Sequence, residues 1–360
     1  MNEILDTIVI GGGQSGLACG YYLRRANLKF LILDKQATPG GAWLNTWNSL
    51  TLFSPAEYSS LPGRGMPKSE HKFPLRQEVI DYLKSYEIHY GLDVKRSVEV
   101  IEVKKEQDVF HVYTSKGVFQ AKTVISATGT WGKPFIPQVE GLKDYNGIQI
   151  HSRVYKDPND FIGLKTLIVG EGNSGAQIVS EISKVTEFRW STRKTPDFLP
   201  DEVDGYYLFN VASARYKAKK EGKTFDESKY NLGSIVMVPP VVEARDRGVL
   251  ISSGAFKNLY GEGVVWENGD KEDFDAIIWC TGFGYDTSYL NSLVSLDEKG
   301  ASNTEESKSL EVEGVWLVGY GNWTGYASAT LIGINRTARQ TIQEVVALLE
   351  NKCPHRYKLK

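Results

Sequence analysis

The sequence is poor in the residues that build disulfide frameworks and metal sites. Its 360 residues include three cysteines, Cys19, Cys280 and Cys353, and five histidines, all widely separated. This spacing excludes a disulfide framework and predicts no metal site. The 42 basic and 44 acidic residues give a net charge of −2, and both signs are interspersed. Neither nucleic acid nor a membrane is therefore expected as a partner.

Long hydrophobic runs are also missing. None approaches the roughly 20 residues that cross a bilayer, and residues 1–6 lack the basic and small-residue features of a signal peptide. We therefore expect a cytoplasmic location. With 41% hydrophobic and 24% charged residues, the chain has a globular composition and is long enough for two domain cores.

Residues 7–34 follow the pattern of a βαβ unit that binds a dinucleotide. An apolar strand at residues 7–10 leads into a glycine turn, and a helix is predicted at residues 17–26. The glycines of the turn are Gly11, Gly13 and Gly16. They permit a tight turn, a close approach to a pyrophosphate and close packing of helix and strand. A second strand ends on Asp34, eighteen positions after Gly16, where a carboxylate binds ribose hydroxyls and repels a 2′-phosphate.

The chain repeats this device at residues 167–175. The second turn contains Gly170, Gly172, Asn173, Ser174 and Gly175, and its following strand ends on Arg193 and Lys194 instead of an acid. Each copy ends about 110 to 120 residues later in an apolar strand closed by Thr-Gly, at Gly129 and Gly282. The pattern predicts an α/β fold with two Rossmann-like dinucleotide-binding domains, the second inserted into the first. The predicted boundaries are residues 1–157 and 278–360 for the first domain and 158–277 for the second.

Three further segments are predicted to belong to the first domain. Trp43 lies in a glycine-rich loop after Asp34 and is read either as a wall for an isoalloxazine ring or as ordinary packing. Short alternating segments at 98–103, 109–114 and 117–124 predict an antiparallel flap. A helix is predicted from Ala329 to Leu349 after a further strand and glycine turn.

The chain resembles the two-dinucleotide-binding flavoproteins, and within them the class B flavin-containing monooxygenases. The linker matches the monooxygenase fingerprint FxGxxxHxxx(Y/F)(K/R) with Tyr145, Gly147, His151, Tyr155 and Lys156, and Tyr145 replaces the phenylalanine. Baeyer–Villiger relatives usually carry tryptophan at the position of Tyr155, which favours the monooxygenase branch. The resemblance runs from residue 8 to residue 339 and suits the small bacterial members.

The resemblance implies that the first domain binds FAD and the second binds NADPH, with NADH as an alternative donor. The positions that match FAD contacts, including the closing glycine, are Gly11, Gly13, Ser15, Gly16, Asp34, Gln36, Trp43, Gly129, Gly319, Asn322 and Thr330. Those that match NADPH contacts are Gly170, Gly172, Ser174, Gly175, Arg193 and Lys194, and Asn173 and Gly282 are further cofactor-binding candidates. Larger members place an asparagine beside the flavin in the segment corresponding to 52–58. This chain has none there, and Phe53 is the candidate for that position.

The implied reaction inserts one oxygen atom of O2 into a thioether or amine through a C4a-(hydro)peroxyflavin, so the partners are O2 and a small molecule. Phe53 and His151 are the catalytic candidates, although a linker histidine is commonly structural. Baeyer–Villiger oxygenation and an uncoupled NADPH oxidase or diaphorase remain alternatives, as does a redox-silent nucleotide sensor. A disulfide reductase is disfavoured because no cysteines are paired in sequence. The oligomeric state is left open between a monomer and a homodimer.

Overall fold

The structure is a computed structural model that describes residues 3–225 and 234–352. In chain order, its strands are β1 (Ile4–Ile10), β2 (Phe30–Leu33), β3 (Val94–Lys95), β4 (Val100–Glu106), β5 (Val109–Thr114), β6 (Gly117–Ser126), β7 (Ile148–His151), β8 (Thr166–Val169), β9 (Phe188–Ser191), β10 (Phe256–Tyr260), β11 (Gly263–Trp266), β12 (Lys271–Asp273), β13 (Ala276–Trp279), β14 (Thr304–Glu305), β15 (Lys308–Ser309) and β16 (Val315–Leu317). Its α-helices are α1 (Gln14–Arg25), α2 (Arg76–Tyr90), α3 (Asn173–Ile182), α4 (Gly205–Lys220), α5 (Pro239–Asp246) and α6 (Ile334–Lys352). Within these residues, no helix is both long and apolar enough to cross a membrane.

The described residues divide into two units. The first consists of residues 3–44, 55–133 and 284–352, and the second of residues 45–54, 134–225 and 234–283. Residues 134–157, which the sequence analysis assigned to the first domain, lie in the second unit because β7 pairs along its length with β13. Residues 278–283 also lie in the second unit. The assignment of one cofactor to each domain stays a prediction.

The first unit contains a nine-stranded sheet with five parallel strands in the order β3-β2-β1-β6-β16, the arrangement of a dinucleotide-binding fold. The last five residues of β1 are buried, as expected for a parallel strand covered on both faces. β5 and β4 extend antiparallel from β6, which confirms the predicted flap. The core of this unit joins strand residues such as Ile8, Val124 and Leu317.

The second unit contains a parallel sheet in the order β7-β13-β8-β9 and a separate antiparallel sheet of β10, β11 and β12. Its core includes Leu167, Ile277 and Trp279 from the parallel sheet and Val264 from the antiparallel one. The predicted α/β class with two dinucleotide-binding folds is therefore confirmed.

The C-terminal helix begins later than the sequence predicts. The predicted start was Ala329, but α6 begins at Ile334. The hydroxyl of Thr330 donates to the carbonyl of Ala327 at 2.8 Å and accepts the N–H of Gly333 at 3.0 Å, so a side-chain-stabilised turn occupies these residues. Gly333 is required there because a Cβ would lie 2.0 Å from the carbonyl oxygen of Ala327.

Candidate functional site

The glycine turn of the first unit is shaped by its own neighbours at two positions. Gly11 has a φ of +108°, and a Cβ there would lie 2.5 Å from the carbonyl oxygen of Ala127. At Gly16 a Cβ would lie 1.9 Å from the carbonyl oxygen of Gly11. Both positions therefore require glycine for the fold itself, before any ligand is considered.

Gly13 differs because the protein leaves room beside it. A Cβ on Gly13 would meet the Cα of Gly41 at 3.7 Å, which is ordinary contact. Gly13 is also the N-cap of α1, which among the described residues has no side-chain cap and no acid in its first turn. The free N–H groups of a twelve-residue helix and an open backbone together fit a pyrophosphate.

Asp34 lies at the end of β2, as the sequence predicts, and only 7% of its side chain is exposed. Its carboxylate accepts the backbone N–H groups of Gln36, at 3.2 Å, and of Gly12, and it pairs with the guanidinium of Arg96. Burial raises the pKa of Asp34 above its usual value, although these donors oppose the rise. No sequence pattern indicates Arg96, which follows β3 and also contacts Glu87, so that it holds the carboxylate in place.

The loop after Asp34 is anchored to α1 and α2. The indole Nε1 of Trp43 lies 3.5 Å from Oε1 of Gln14, whose own amide donates to the carbonyl of Ala329 at 2.6 Å. Arg76 donates to the carbonyls of Trp43 and Leu44 at 2.9 and 2.7 Å. The loop therefore holds Trp43 beside the start of α1, where a flavin wall is predicted.

A buried hydroxyl network supports the closing Thr-Gly of the first unit. Ser126 Oγ lies 2.6 Å from the hydroxyl of Tyr289, and Thr128 Oγ1 lies 2.7 Å from the hydroxyl of Tyr320. Burial holds the pKa of Tyr289 well above its ordinary value, so this network is neutral. Gly129 follows with a φ of +69°, which favours glycine.

The remaining predicted FAD positions are brought to the same unit. Ser15 is buried in the first turn of α1, directly against Gly319, where a Cβ would lie 2.0 Å from its hydroxyl oxygen. Asn322 is exposed in a short 3-10 helix, Gly321–Thr324, and Thr330 is half-buried in the turn before α6. Packing within the unit explains the small residues Ser15 and Gly319, and the contact of each of these four residues with FAD stays a prediction.

The turn of the second unit repeats the same geometry. Gly170 has a φ of +131°, and a Cβ there would lie 2.3 Å from the carbonyl oxygen of Cys280. A Cβ on Gly175 would lie 2.2 Å from the carbonyl oxygen of Gly170, which also accepts the indole N–H of buried Trp190 at 2.9 Å. Gly172 has open space on its Cβ side and is the N-cap of α3. The position equivalent to Gly13 is thus again the one that the protein leaves free.

The predicted nicotinamide-cofactor residues of this turn have different surroundings. Asn173 accepts the backbone N–H of Val236 at 2.8 Å, so it also anchors the segment before α5, and Ser174 is half-buried beside it. Arg193 is 85% exposed, and Lys194 is exposed as well. The carboxylate of Glu171 lies 3.5 Å from the guanidinium of Arg193. Sequence reasoning missed Glu171, although it replaces the middle glycine of the first turn.

The fingerprint residues hold the second unit together. Tyr145 donates to the carbonyl of Phe274 at 2.6 Å, and Gly147 is required because a Cβ would lie 2.3 Å from that hydroxyl. Tyr155 donates to Glu181 at 2.8 Å. Lys156 donates to the carbonyls of Asn45 and Thr46, at 2.6 and 3.1 Å, and so attaches segment 45–54 to this unit.

His151 uses both ring nitrogens inside the second unit. Its Nε2 donates to the carbonyl of Gly282 at 2.9 Å, and its Nδ1 accepts the backbone N–H of Arg153 at 3.1 Å. Burial, with help from the charge of Arg153, lowers the pKa of His151. The ring is therefore neutral and fixed. Its contacts position the loop after β13, which favours the structural alternative over a catalytic role.

These contacts predict a pH dependence of stability. Because the pKa of His151 is lowered by folding from an unfolded value of about 6.5, the unfolded chain binds more protons as the pH falls, and stability falls with it. His151→Gln keeps a hydrogen-bond donor but no longer titrates. When the pH is lowered from about 8 to about 5, its melting temperature should therefore fall by less than that of the native protein. His89→Gln, at an exposed position, is the control. An unchanged pH dependence in His151→Gln would contradict the neutral assignment.

Phe53 belongs to the segment 45–54 that joins the second unit. Its carbonyl accepts the N–H of Gly205 at 2.7 Å, and a Cβ on Gly205 would lie 2.6 Å from the ring of Phe53. The ring therefore packs against the start of α4. Its predicted position beside a flavin stays a prediction.

The two cysteines within the described residues form no redox pair. Cys19 lies in α1 of the first unit and Cys280 follows β13 of the second; both are buried and free, and Cys353 lies outside the described residues. Burial raises the pKa of Cys19 to about 12 and that of Cys280 still further, which disfavours a reactive thiolate. The described ranges also contain no group of three or more His, Cys, Asp and Glu residues that could hold a metal ion.

Comparisons with known proteins place these features in context. Residues 8–197 match the family described as Pyridine nucleotide-disulphide oxidoreductase. An uncharacterized CzcO-like oxidoreductase of Geobacillus kaustophilus is 31% identical over 355 residues, which is 96% of this chain and 99% of the relative. The structure of a flavin-containing monooxygenase from Stenotrophomonas maltophilia matches with a TM-score of 0.88 and 44% identity, covering 97% of this chain and 100% of that chain. A bacillithiol disulfide reductase from Bacillus cereus, at 19% identity and a TM-score of 0.74 over 96% of this chain and 100% of its own, shares the fold alone.

Proposed function

Because the chain belongs to the pyridine nucleotide-disulphide oxidoreductase family, and within it to the flavin-containing monooxygenases, we propose that it transfers one oxygen atom from O2 to a thioether or an amine. Its cofactors are FAD and NADP(H). One observation carries the choice of reaction. The segment that matches the monooxygenase fingerprint is fully engaged through Tyr145, His151, Tyr155 and Lys156, whereas the described residues lack the cysteine pair of a disulfide reductase.

The first unit has the groups that FAD needs. The N-terminus of α1 and the open side of Gly13 accept the pyrophosphate, and Asp34 accepts ribose hydroxyls. Trp43 provides an apolar wall beside the start of α1. The chemistry that FAD supplies when bound is the acceptance of hydride from NADPH and the activation of O2.

The second unit has the groups that NADPH needs. The N-terminus of α3 and the open side of Gly172 accept the pyrophosphate. Arg193 and Lys194 extend into solvent at the end of β9, where they bind a 2′-phosphate by charge-assisted hydrogen bonds. His151 holds the loop that carries Gly282, and we assign it a positioning role within this unit.

A second candidate function rests on one observation. Segment 52–58 contains no asparagine, and Phe53 packs on α4 instead of presenting a polar group. An NADPH oxidase that releases peroxide is therefore the alternative, and ketone oxygenation is expected to be the weaker oxygen-transfer activity. The cytoplasmic location and the choice between a monomer and a homodimer stay predictions.

Substrate-dependent NADPH consumption tests the reaction class. We expect the flavin-loaded protein to consume NADPH faster when a thioether or a tertiary amine is added, and much less so with a cyclic ketone. The measurement is NADPH absorbance, with peroxide assayed in parallel. If the peroxide formed equals the NADPH consumed with all three substrates, the protein is an NADPH oxidase and not a monooxygenase.

A further inference from the structure

Both glycine turns have a carboxylate between the middle of the turn and the end of the following strand, but different positions of the sequence supply it. In the first turn the middle residue is Gly12 and the strand end is Asp34. A Cβ on Gly12 would lie 2.7 Å from Oδ2 of Asp34, so the acid at the strand end directly covers the middle of the turn. That position of the turn therefore faces the ribose-binding carboxylate.

In the second turn the acid lies in the turn itself and the strand end carries a base. The middle residue is Glu171, and the strand end, eighteen residues after Gly175, is Arg193. Oε2 of Glu171 lies 3.4 Å from the backbone N of Arg193, and Oε1 lies 3.5 Å from its guanidinium. The glutamate thus extends from the turn to the strand end and puts an acid where the first unit has Asp34.

The pairing has opposite consequences for the two nicotinamide cofactors. A carboxylate at this point accepts ribose hydroxyls and repels a 2′-phosphate, whereas an arginine favours the phosphate. Glu171 is 32% exposed and Arg193 is 85% exposed, so water weakens their attraction and a ligand can separate them. A 2′-phosphate that binds Arg193 must do so beside the charge of Glu171.

We propose that Glu171 is a specificity-determining residue that lets the protein use NADH as well as NADPH. It accepts the ribose hydroxyls of NADH and opposes the 2′-phosphate of NADPH, so it narrows the preference that Arg193 and Lys194 create. The inference rests on the proposed function only in placing the nicotinamide cofactor at the second turn.

Equilibrium binding to the flavin-loaded protein tests this role without turnover. The probes are ADP and its 2′-phosphorylated form, titrated by calorimetry at low ionic strength. In Glu171→Gln we expect 2′-phospho-ADP to bind more tightly and ADP more weakly, which changes the ratio of their dissociation constants by about tenfold. The change should shrink as salt is added, because the charges are partly exposed. Glu267→Gln, which removes an exposed carboxylate of the same unit, should leave the ratio unchanged.

The outcomes separate this inference from the proposed function. If both probes bind and Glu171→Gln leaves their ratio unchanged, or weakens both equally, Glu171 supports only the turn and the inference is wrong. If neither probe binds the native protein, the placement of the nicotinamide cofactor is wrong as well. In steady-state kinetics, the supporting result is a changed ratio of KM values for NADPH and NADH with an unchanged kcat for NADPH.

Discussion

Gly13→Ala is expected to purify as a folded but colourless protein. The added methyl meets only the Cα of Gly41, at 3.7 Å, so the protein tolerates it, but it occupies the path of the FAD pyrophosphate. We expect the FAD dissociation constant to rise at least about a hundredfold, roughly 2.7 kcal/mol. Flavin absorbance per protein and thermal melting of the apoprotein are the measurements. Gly11→Ala and Gly16→Ala cannot serve here, because their methyl groups would clash with backbone oxygens at 2.5 and 1.9 Å.

Gly172→Ala is the matched control from the second turn. It has open space around its Cβ, so it should fold and keep FAD, while binding of NADP⁺ is lost. Gly13→Ala thus lowers the affinity for FAD, whereas Gly172→Ala lowers the affinity for NADP⁺. A yellow, fully loaded Gly13→Ala protein would mean that FAD has been assigned to the wrong turn.

Neutralising Arg193 and Lys194 together is expected to remove most of the preference for NADPH. Charge-assisted hydrogen bonds are the stronger class, at roughly 1.5–3 kcal/mol each, and both side chains are exposed and available at the end of β9. Arg193→Gln with Lys194→Gln should raise KM for NADPH at least about tenfold, or about 1.4 kcal/mol, and leave KM for NADH nearly unchanged.

Lys257→Gln with Lys271→Gln is the control, because it removes two exposed charges from the same unit. It should change neither KM. If the Arg193 and Lys194 variant instead loses affinity for NADPH and NADH equally, the two residues support the fold or bind the pyrophosphate, and the phosphate assignment fails. The fold itself should tolerate the double change, since the ion pair of Arg193 with Glu171 is long and exposed.

The parts of the fold that the sequence predicts are those fixed by local constraints. The glycine spacings could be read because each of these glycines faces a backbone oxygen. For Gly11 and Gly170 the oxygen belongs to a neighbouring segment, and for Gly16 and Gly175 it belongs to the first glycine of the same turn. The parallel strands could be read because they are apolar on both faces. The predicted start of the C-terminal helix was wrong, because the side chain of Thr330 stabilises a turn and α6 begins only at Ile334.

Contacts between distant residues could not be predicted in this way. Segment 45–54 joins the second unit through Lys156, 110 and 111 residues further along the chain, and no periodicity signals such a pairing. Arg96 contacts Asp34 from 62 residues away. Glu171 is an intermediate case, because comparing the two turns position by position shows Gly12 replaced by an acid, but only the structure shows its contact with Arg193.

The origin of the transferred oxygen atom tests the central claim most directly. The flavin-loaded protein would be given NADPH, an aryl methyl thioether and ¹⁸O₂, with catalase present to remove free peroxide, and the sulfoxide analysed by mass spectrometry. The proposed function predicts a sulfoxide that carries one ¹⁸O atom and forms only with NADPH. Consumption of NADPH with no labelled sulfoxide, together with peroxide equal to the consumed NADPH in a parallel reaction without catalase, would contradict it and establish an oxidase.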